Sequence, residues 1–259
     1  RARRPLEPRP FRAHVWGMRT TAPRSPSAAA LRAALRARAD PAKAAHLARF
    51  FKRGPGQYAE NDRFLGIAVP ELRALARRHL RLSEGAVESL LASPYHEARL
   101  AALLILAERF AAGSEEERAR VYAVYVRNLA RVDNWDLVDL TAPRIAGEHL
   151  VDRDRAPLYA WARSPRLWTR RIAIVATHAF IRRGDFADTL AIAALLLGDG
   201  EDLIRKATGW MLREVGKRDR AAEEAFLRRH LPAMPRTTLR YAIERFPEGL
   251  RRAYLRGEV

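Results

Sequence analysis

From Ser27 onward, apolar residues recur at i, i+3, i+4 and i+7 along nearly the whole chain, the period of helices that bury one face. Ser, Asp or Pro stands at the start of most of these segments, as helix N-termini prefer. The pattern predicts helices over 27–39 and 41–52, then a Gly54-Pro55-Gly56 loop leading to Phe64-Leu65-Gly66-Ile67. Further helices are expected near 70–80, 83–92, 95–112, 115–131, 134–147, 155–163 and 167–183. Five more follow near 186–197, 201–216, 219–231, 236–246 and 248–256. No segment alternates cleanly enough to be a strand. Residues 1–27 differ: rich in Arg and Pro and without helical period, they read as a disordered basic arm, with Met18 an alternative start. Residues 28–259 then form one helical unit.

A faint repeat runs through these helices. Arg99, Trp135 and Arg171 are spaced by 36 residues, and Lys206 follows 35 later. Around three of them a basic residue precedes small and apolar ones: ARLAALLIL (98–106), RRIAIVATH (170–178) and RKATGWMLR (205–213). A period in the upper thirties with two helices per unit is near the HEAT and armadillo class. Such a pair cannot bury its apolar face alone, so neighbours stack into a continuous core. The expected fold is all-α, a curved α-solenoid of HEAT-like helical repeats. Corresponding positions line one concave face, which collects Trp135, Arg171 and Trp210 on the same side.

Composition sharpens this picture. Helix formers dominate, and 48% hydrophobic residues suffice for a core. Lys and Arg number 48 against 30 Asp and Glu, a formal charge of +18. So large an excess repels itself and commonly has a polyanion as partner, although an Arg bias in a GC-rich genome produces the same count. Without cysteine, disulfides and thiolate metal sites are excluded. The apolar stretches Leu100–Leu106 and Leu190–Leu197 are too short to span a bilayer, and residues 1–27 lack the apolar core of a secretory signal. The expectation is a cytoplasmic, nucleoid-associated monomer with no membrane partner and no cofactor.

Three segments could carry chemistry. In NWDLVD (134–139), Asp133 or Asn134 suits the N-cap and Asp136 the positive end of the helix dipole. Asp139 has neither explanation. It lies four residues after Trp135, so indole and carboxylate share a helix face, unless Trp135 is simply core and Asp139 a surface acid paired with an Arg. In LWTRRIAI (167–174), Arg170 and Arg171 point in different directions and one can clamp a phosphate. In KATGWMLRE (206–214), Gly209 in mid-helix costs about 1 kcal/mol relative to Ala, which signals close helix packing or close approach of a ligand beside Trp210. The seven histidines show no HxxxH or HExxH spacing, so no metal site is expected. No serine sits in a GxSxG elbow, and the Gly54-Pro55-Gly56 loop is not a P-loop.

Together RFFKRGPGQYAENDRFLGIAVPELR (49–73), NWDLVDLTAPRIAG (134–147), LWTRRIAIVA (167–176) and IRKATGWMLRE (204–214) resemble the DNA alkylation repair family of HEAT-like DNA glycosylases, the AlkD type. The likeness runs from about Ala29 to about Phe246. It implies a right-angled or C-shaped solenoid holding duplex DNA with alkylated purines in a basic groove. It further implies hydrolysis of the N-glycosidic bond of N3- or N7-alkylated purines without base flipping. Carried over by motif, the stacking tryptophans fall on Trp135 and Trp210, the carboxylate on Asp139 and the essential arginine on Arg171. An early-helix tyrosine of the family falls on Phe50, with Tyr58 in the adjacent loop as the other available aromatic. Arg170 and Lys206 join Arg171 as candidate DNA contacts. Two other classes compete: a noncatalytic module for branched, bent or damaged duplexes, and a protein-binding HEAT scaffold.

Overall fold

The computed structural model describes residues 27–259. Among them there is helix and loop but no strand, only a single parallel bridge between Arg63 and Tyr95. The chain opens with α1 (Ala28–Arg36), α2 (Pro41–Ala48), α3 (Val69–Arg77), α4 (Glu84–Leu91), α5 (His96–Ala112) and α6 (Glu115–Arg127). It continues with α7 (Trp135–Thr141), α8 (Glu148–Leu150), α9 (Ala156–Ala162), α10 (Leu167–Ala176) and α11 (His178–Ile181). Last come α12 (Ala187–Leu196), α13 (Asp202–Gly216), α14 (Arg220–His230), α15 (Arg236–Ala242) and α16 (Glu248–Arg256). The basic arm expected over residues 1–27 lies outside the described residues except for Ser27, whose hydroxyl caps α1 by accepting from Ala30 N at 3.1 Å.

Two layers follow from the packing. α5, α7, α10, α13 and α15 lie side by side in chain order, each against the next, while α4, α6, α9, α12 and α14 pack against them. This is the all-α solenoid that the period in the upper thirties predicts. The α5 run from Ala98 to Ala107 is buried on every face, as a helix between two neighbours and a covering layer must be. No helix among the described residues is long and apolar enough to cross a membrane.

Where the observed helices depart from the expected ones, backbone chemistry explains it. The helix expected over 134–147 begins as α7 but turns π-helical over Pro143–Gly147, with Gly147 N–H donating to the Ala142 carbonyl at 2.9 Å. Pro143 has no N–H for the Asp139 carbonyl and its ring crowds it, so the ladder must widen there. A Cβ on Gly147 would meet Ala179 Cβ at 2.8 Å and overlap the Ala176 carbonyl, so only glycine lets this turn press against α10 and α11. The helix expected over 167–183 breaks at Thr177, whose hydroxyl donates to the Ile174 carbonyl at 2.7 Å.

Gly66 fixes the loop before α3. It has φ +84°, and a Cβ there would overlap the Asp40 carbonyl and lie 2.5 Å from Ala44 N. The Glu97 carboxylate, buried at the start of α5, accepts from Leu65 N at 2.9 Å and Gly66 N at 2.8 Å. One buried acid thereby ties the loop to the first solenoid helix.

Candidate active site

Asn134 begins the site. Its side-chain oxygen accepts from Trp135 N at 2.8 Å while its amide donates to Asp62 at 3.0 Å, so α7 starts at a fixed place and angle. Trp135 is therefore the first residue of α7, and Asp139 follows one turn later.

The Trp135 indole stacks on Phe51, with ring centroids 5.4 Å apart and planes at 22°. Phe51 in turn stacks on Phe64 at 4.9 Å, and both rings lie against the imidazole of His96 at 5.0 and 5.1 Å. These rings, with Leu47, Ile67 and Leu140, wall a cleft of about 480 Å³ that Asp139 also lines. A mainly apolar cleft, lined also by the carboxylates of Glu97, Asp136 and Asp139, can seat a flat or apolar group and set a negative charge beside it.

Asp139 is held by Arg171 through two parallel bonds, Nε to Oδ1 at 2.9 Å and Nη2 to Oδ2 at 2.8 Å. The same guanidinium donates from Nη1 to the Leu203 carbonyl at the start of α13. α7, α10 and α13 are thus stitched at one point. Desolvation pushes the Asp139 carboxyl above the ordinary range, and the Arg171 charge opposes that shift.

Below the stack lies a buried polar network. His96 Nε2 bonds Asp136 Oδ2 at 2.7 Å, and its Nδ1 lies 3.4 Å from Asp62 Oδ2. Arg99 donates to Asp62 Oδ1 at 2.6 Å and pairs with Asp133 at 3.3 Å. Although burial opposes the charged ring, the hydrogen bonds it donates to Asp136 and Asp62 prevail and raise the His96 pKa to about 9. Asp136 lies in the first turn of α7, as the helix dipole favours, and spends one oxygen on Leu137 N at 2.9 Å and the other on this histidine.

The remaining expected residues are distributed around this centre. Phe50 lines the cleft but is 62% exposed and touches His46 rather than Trp135. Tyr58 reaches from its loop to the edge of Trp168 on α10, with centroids 5.4 Å apart. Arg170 is absorbed by Asp199 at 2.6 Å and by the carbonyls of Ser164 and Pro165, which pin the turn before α10. Lys206 pairs with Asp202 at 2.8 Å. Trp210 donates its indole N–H to Glu214 at 3.1 Å and lies 6.1 Å from the His178 ring. Gly209 beside it is there for packing: a Cβ would meet Tyr241 Cβ at 2.5 Å. So Asp139, Arg171 and Trp135 come together, while Trp210 and Lys206 sit on the next helix with partners of their own. No group of His, Asp and Glu among the described residues could hold a metal ion.

Four residues of the centre escape the sequence reading: Phe51, Phe64, His96 and Asp62. The signal for Phe64 was its place directly before Leu65-Gly66-Ile67. For Asp62 and His96 the linear sequence offers none, because they meet α7 from 74 and 40 residues upstream of Asp136.

Fold and site together define an all-α helical-repeat protein with a carboxylate–guanidinium pair at an aromatic cleft. The DNA alkylation repair enzyme family matches residues 31–246, and the chain belongs to that family. Its role is in alkylation repair, with DNA as the partner. Among solved structures, a "Predicted DNA alkylation repair enzyme from Enterococcus faecalis" superposes with a TM-score of 0.64 at 17% identity, covering 82% of this chain and 98% of that one. A search of the curated proteins finds no match.

Proposed function

We propose that the protein is an alkylpurine DNA glycosylase, hydrolysing the N-glycosidic bond of N3- or N7-alkylated purines in duplex DNA without flipping the base. The observation that carries this reading is the Asp139 carboxylate, fixed by Arg171 beside an aromatic cleft and one helical turn from Trp135.

An alkylated purine of this kind already bears positive charge. When the C1′–N bond breaks, its electron pair leaves on a base that becomes neutral, so no general acid is required. Glycosidases with neutral leaving groups need two carboxylates, whereas here one is enough. Asp139 sets negative charge against the oxocarbenium-like sugar and orients the water whose oxygen bonds C1′, its proton passing on to solvent. Burial makes Asp139 more basic than an ordinary aspartate, which suits it to accept a hydrogen bond from that water. The faces of Trp135 and Trp210 add roughly 0.5–2 kcal/mol each against the cation. Of the five N–H groups of Arg171, three are engaged and two remain for a backbone phosphate. Lys206, Arg170, Tyr58 and Phe50 are the further candidate contacts to the duplex.

The test is a duplex carrying a single N7-methylguanine, incubated with protein and then cleaved by alkali at abasic sites. Excision above the spontaneous rate is expected. Asp139→Asn should lose it by at least about 100-fold with DNA affinity nearly unchanged. Wild-type excision by that variant overturns the mechanism, and tight binding without any abasic product assigns the protein to noncatalytic recognition of damaged DNA.

A further inference from the structure

We infer that His96 is a positioning residue for excision: clamped between Asp62 and Asp136, it sets the N-terminus of α7 and so the placement of Trp135 and Asp139 at the cleft. The inference rests on the glycosylase reading for its kinetic consequence, but its geometry stands independently.

The clamp joins three elements that Asn134 and Arg99 also tie together through Asp62. Asp62 lies within the loop between α2 and α3, His96 opens α5, and Asp136 lies in the first turn of α7. His96 is 3% exposed, so both of its nitrogens are spent inside the protein, one at 2.7 Å from Asp136 and one at 3.4 Å from Asp62. Two carboxylates on one imidazole require both nitrogens to carry protons, because each carboxylate can only accept. The charged and titratable groups facing the ring are Asp62 from the loop, Asp136 and Asp133 from around the start of α7, and Arg99 from α5 itself.

The ring also does something that a plain ion pair could not. It lies against Phe51 and Phe64, and Phe51 also stacks on the Trp135 indole. His96 therefore grips α7 twice: through Asp136, next to Trp135 in sequence, and through the aromatic stack on which Trp135 rests. Asp139 sits one turn further along the same helix and must match an Arg171 already tied to α13. A shift of α7 by a fraction of a turn would break that bidentate pairing. Reaction rates are sensitive to displacements of this size, with about 1 Å costing on the order of 100-fold.

Two variants and one spectroscopic measurement test this. His96→Gln keeps an amide donor for one carboxylate, while His96→Phe keeps a ring for the stack but no donor. Single-turnover excision of N7-methylguanine at neutral pH should fall roughly 100-fold or more in His96→Phe and within about tenfold in His96→Gln, with duplex affinity nearly unchanged in both. In the wild type, the Trp135 indole N–H resonance, assigned by its loss in Trp135→Phe, should titrate together with the His96 ring near pH 9. That titration should vanish in His96→Gln.

Wild-type excision by His96→Phe overturns the inference. So does a Trp135 resonance indifferent to His96 ionisation, and this second readout decides the matter if His96→Phe fails to fold. If the wild type excises nothing while the coupled titration is present, the glycosylase reading has failed and the clamp stands.

Discussion

Arg171 on α10 holds Asp139 on α7 by two parallel bonds of 2.9 and 2.8 Å and reaches past it to the carbonyl of Leu203 on α13. The Asp139 carboxylate at the cleft is thus locked to three consecutive helices of the inner layer. Arginine is needed for this, because a lysine ammonium cannot form the fork or serve both oxygens and a carbonyl in one plane. Arg171→Lys is expected to slow excision by roughly 100-fold with little change in stability. Arg171→Ala should also lower stability by roughly 2 kcal/mol, less than for a fully buried pair because the Asp139 side chain is 19% exposed. In a double-mutant cycle read by chemical denaturation, Asp139→Asn should restore most of that loss. Additive effects of the two substitutions would show that the pair is not coupled.

The stack beside this pair separates two adjacent phenylalanines. Phe51 touches Phe64, His96 and Trp135, while its neighbour Phe50 is exposed and meets His46. Phe51→Ala should destabilise the fold by about 2 kcal/mol and slow excision, since Trp135 loses the ring it rests on. Phe50→Ala should change stability by less than about 0.5 kcal/mol, and any effect on excision should appear in DNA affinity rather than in the single-turnover rate. Melting curves and single-turnover kinetics on the two variants read this directly.

Gly66 is where the loop after α2 meets the backbone of α2 itself. Any side chain there faces both a left-handed conformation and overlap with main-chain atoms of Asp40 and Ala44, neither of which can swing away. Gly66→Ala is expected to cost about 3 kcal/mol, the sum of a left-handed alanine and a backbone clash. Because Glu97 holds the same loop to α5, the loss should be shared by Glu97→Gln, which weakens the acceptor for Leu65 N and Gly66 N without adding bulk. A Gly66→Ala protein that melts like the wild type would mean that the loop is not fixed as described.

The helices were readable because the solenoid repeats one physical rule, an apolar stripe every 3.6 residues bounded by Ser, Asp or Pro. Ser27, Ser83, Ser114 and Asp219 all cap where the pattern starts a helix. The π-helical turn at Pro143–Gly147 was not readable, since the apolar stripe runs through it unbroken and only the missing N–H of Pro143 and the close approach at Gly147 break the ladder. In the site, Trp135 and Asp139 share a face for reasons of spacing alone. The Arg171 pairing needed the repeat, which brings α10 beside α7. Arg170 next to it looks equally available in the sequence, yet Asp199 and two carbonyls consume it. Asp62 and His96 depend on where a loop crosses the helix ends, which no local pattern records.

Far from the cleft, Glu223 on α14 offers a test of stability against pH. It is 2% exposed and lies against Gly216, with its Oε1 unpartnered. Desolvation raises its pKa from 4.5 to about 8, the nearby Arg220 opposing and Glu224 adding to the shift. A folded-state pKa above the unfolded one means that the native protein binds this proton more tightly. The corresponding stability is present in full below about pH 4.5 and is lost as pH rises through about 8. Glu223→Gln removes the ionisation while keeping shape and a carbonyl acceptor. Near pH 4 the variant should therefore match the wild type within about 0.5 kcal/mol, and the wild type should fall behind it by up to roughly 1.4 kcal/mol per pH unit between about pH 4.5 and 8. Urea denaturation of both proteins across that range checks the sign. A wild type that gains on the variant as pH rises would show that Glu223 is instead held ionised by Arg213 and Arg220.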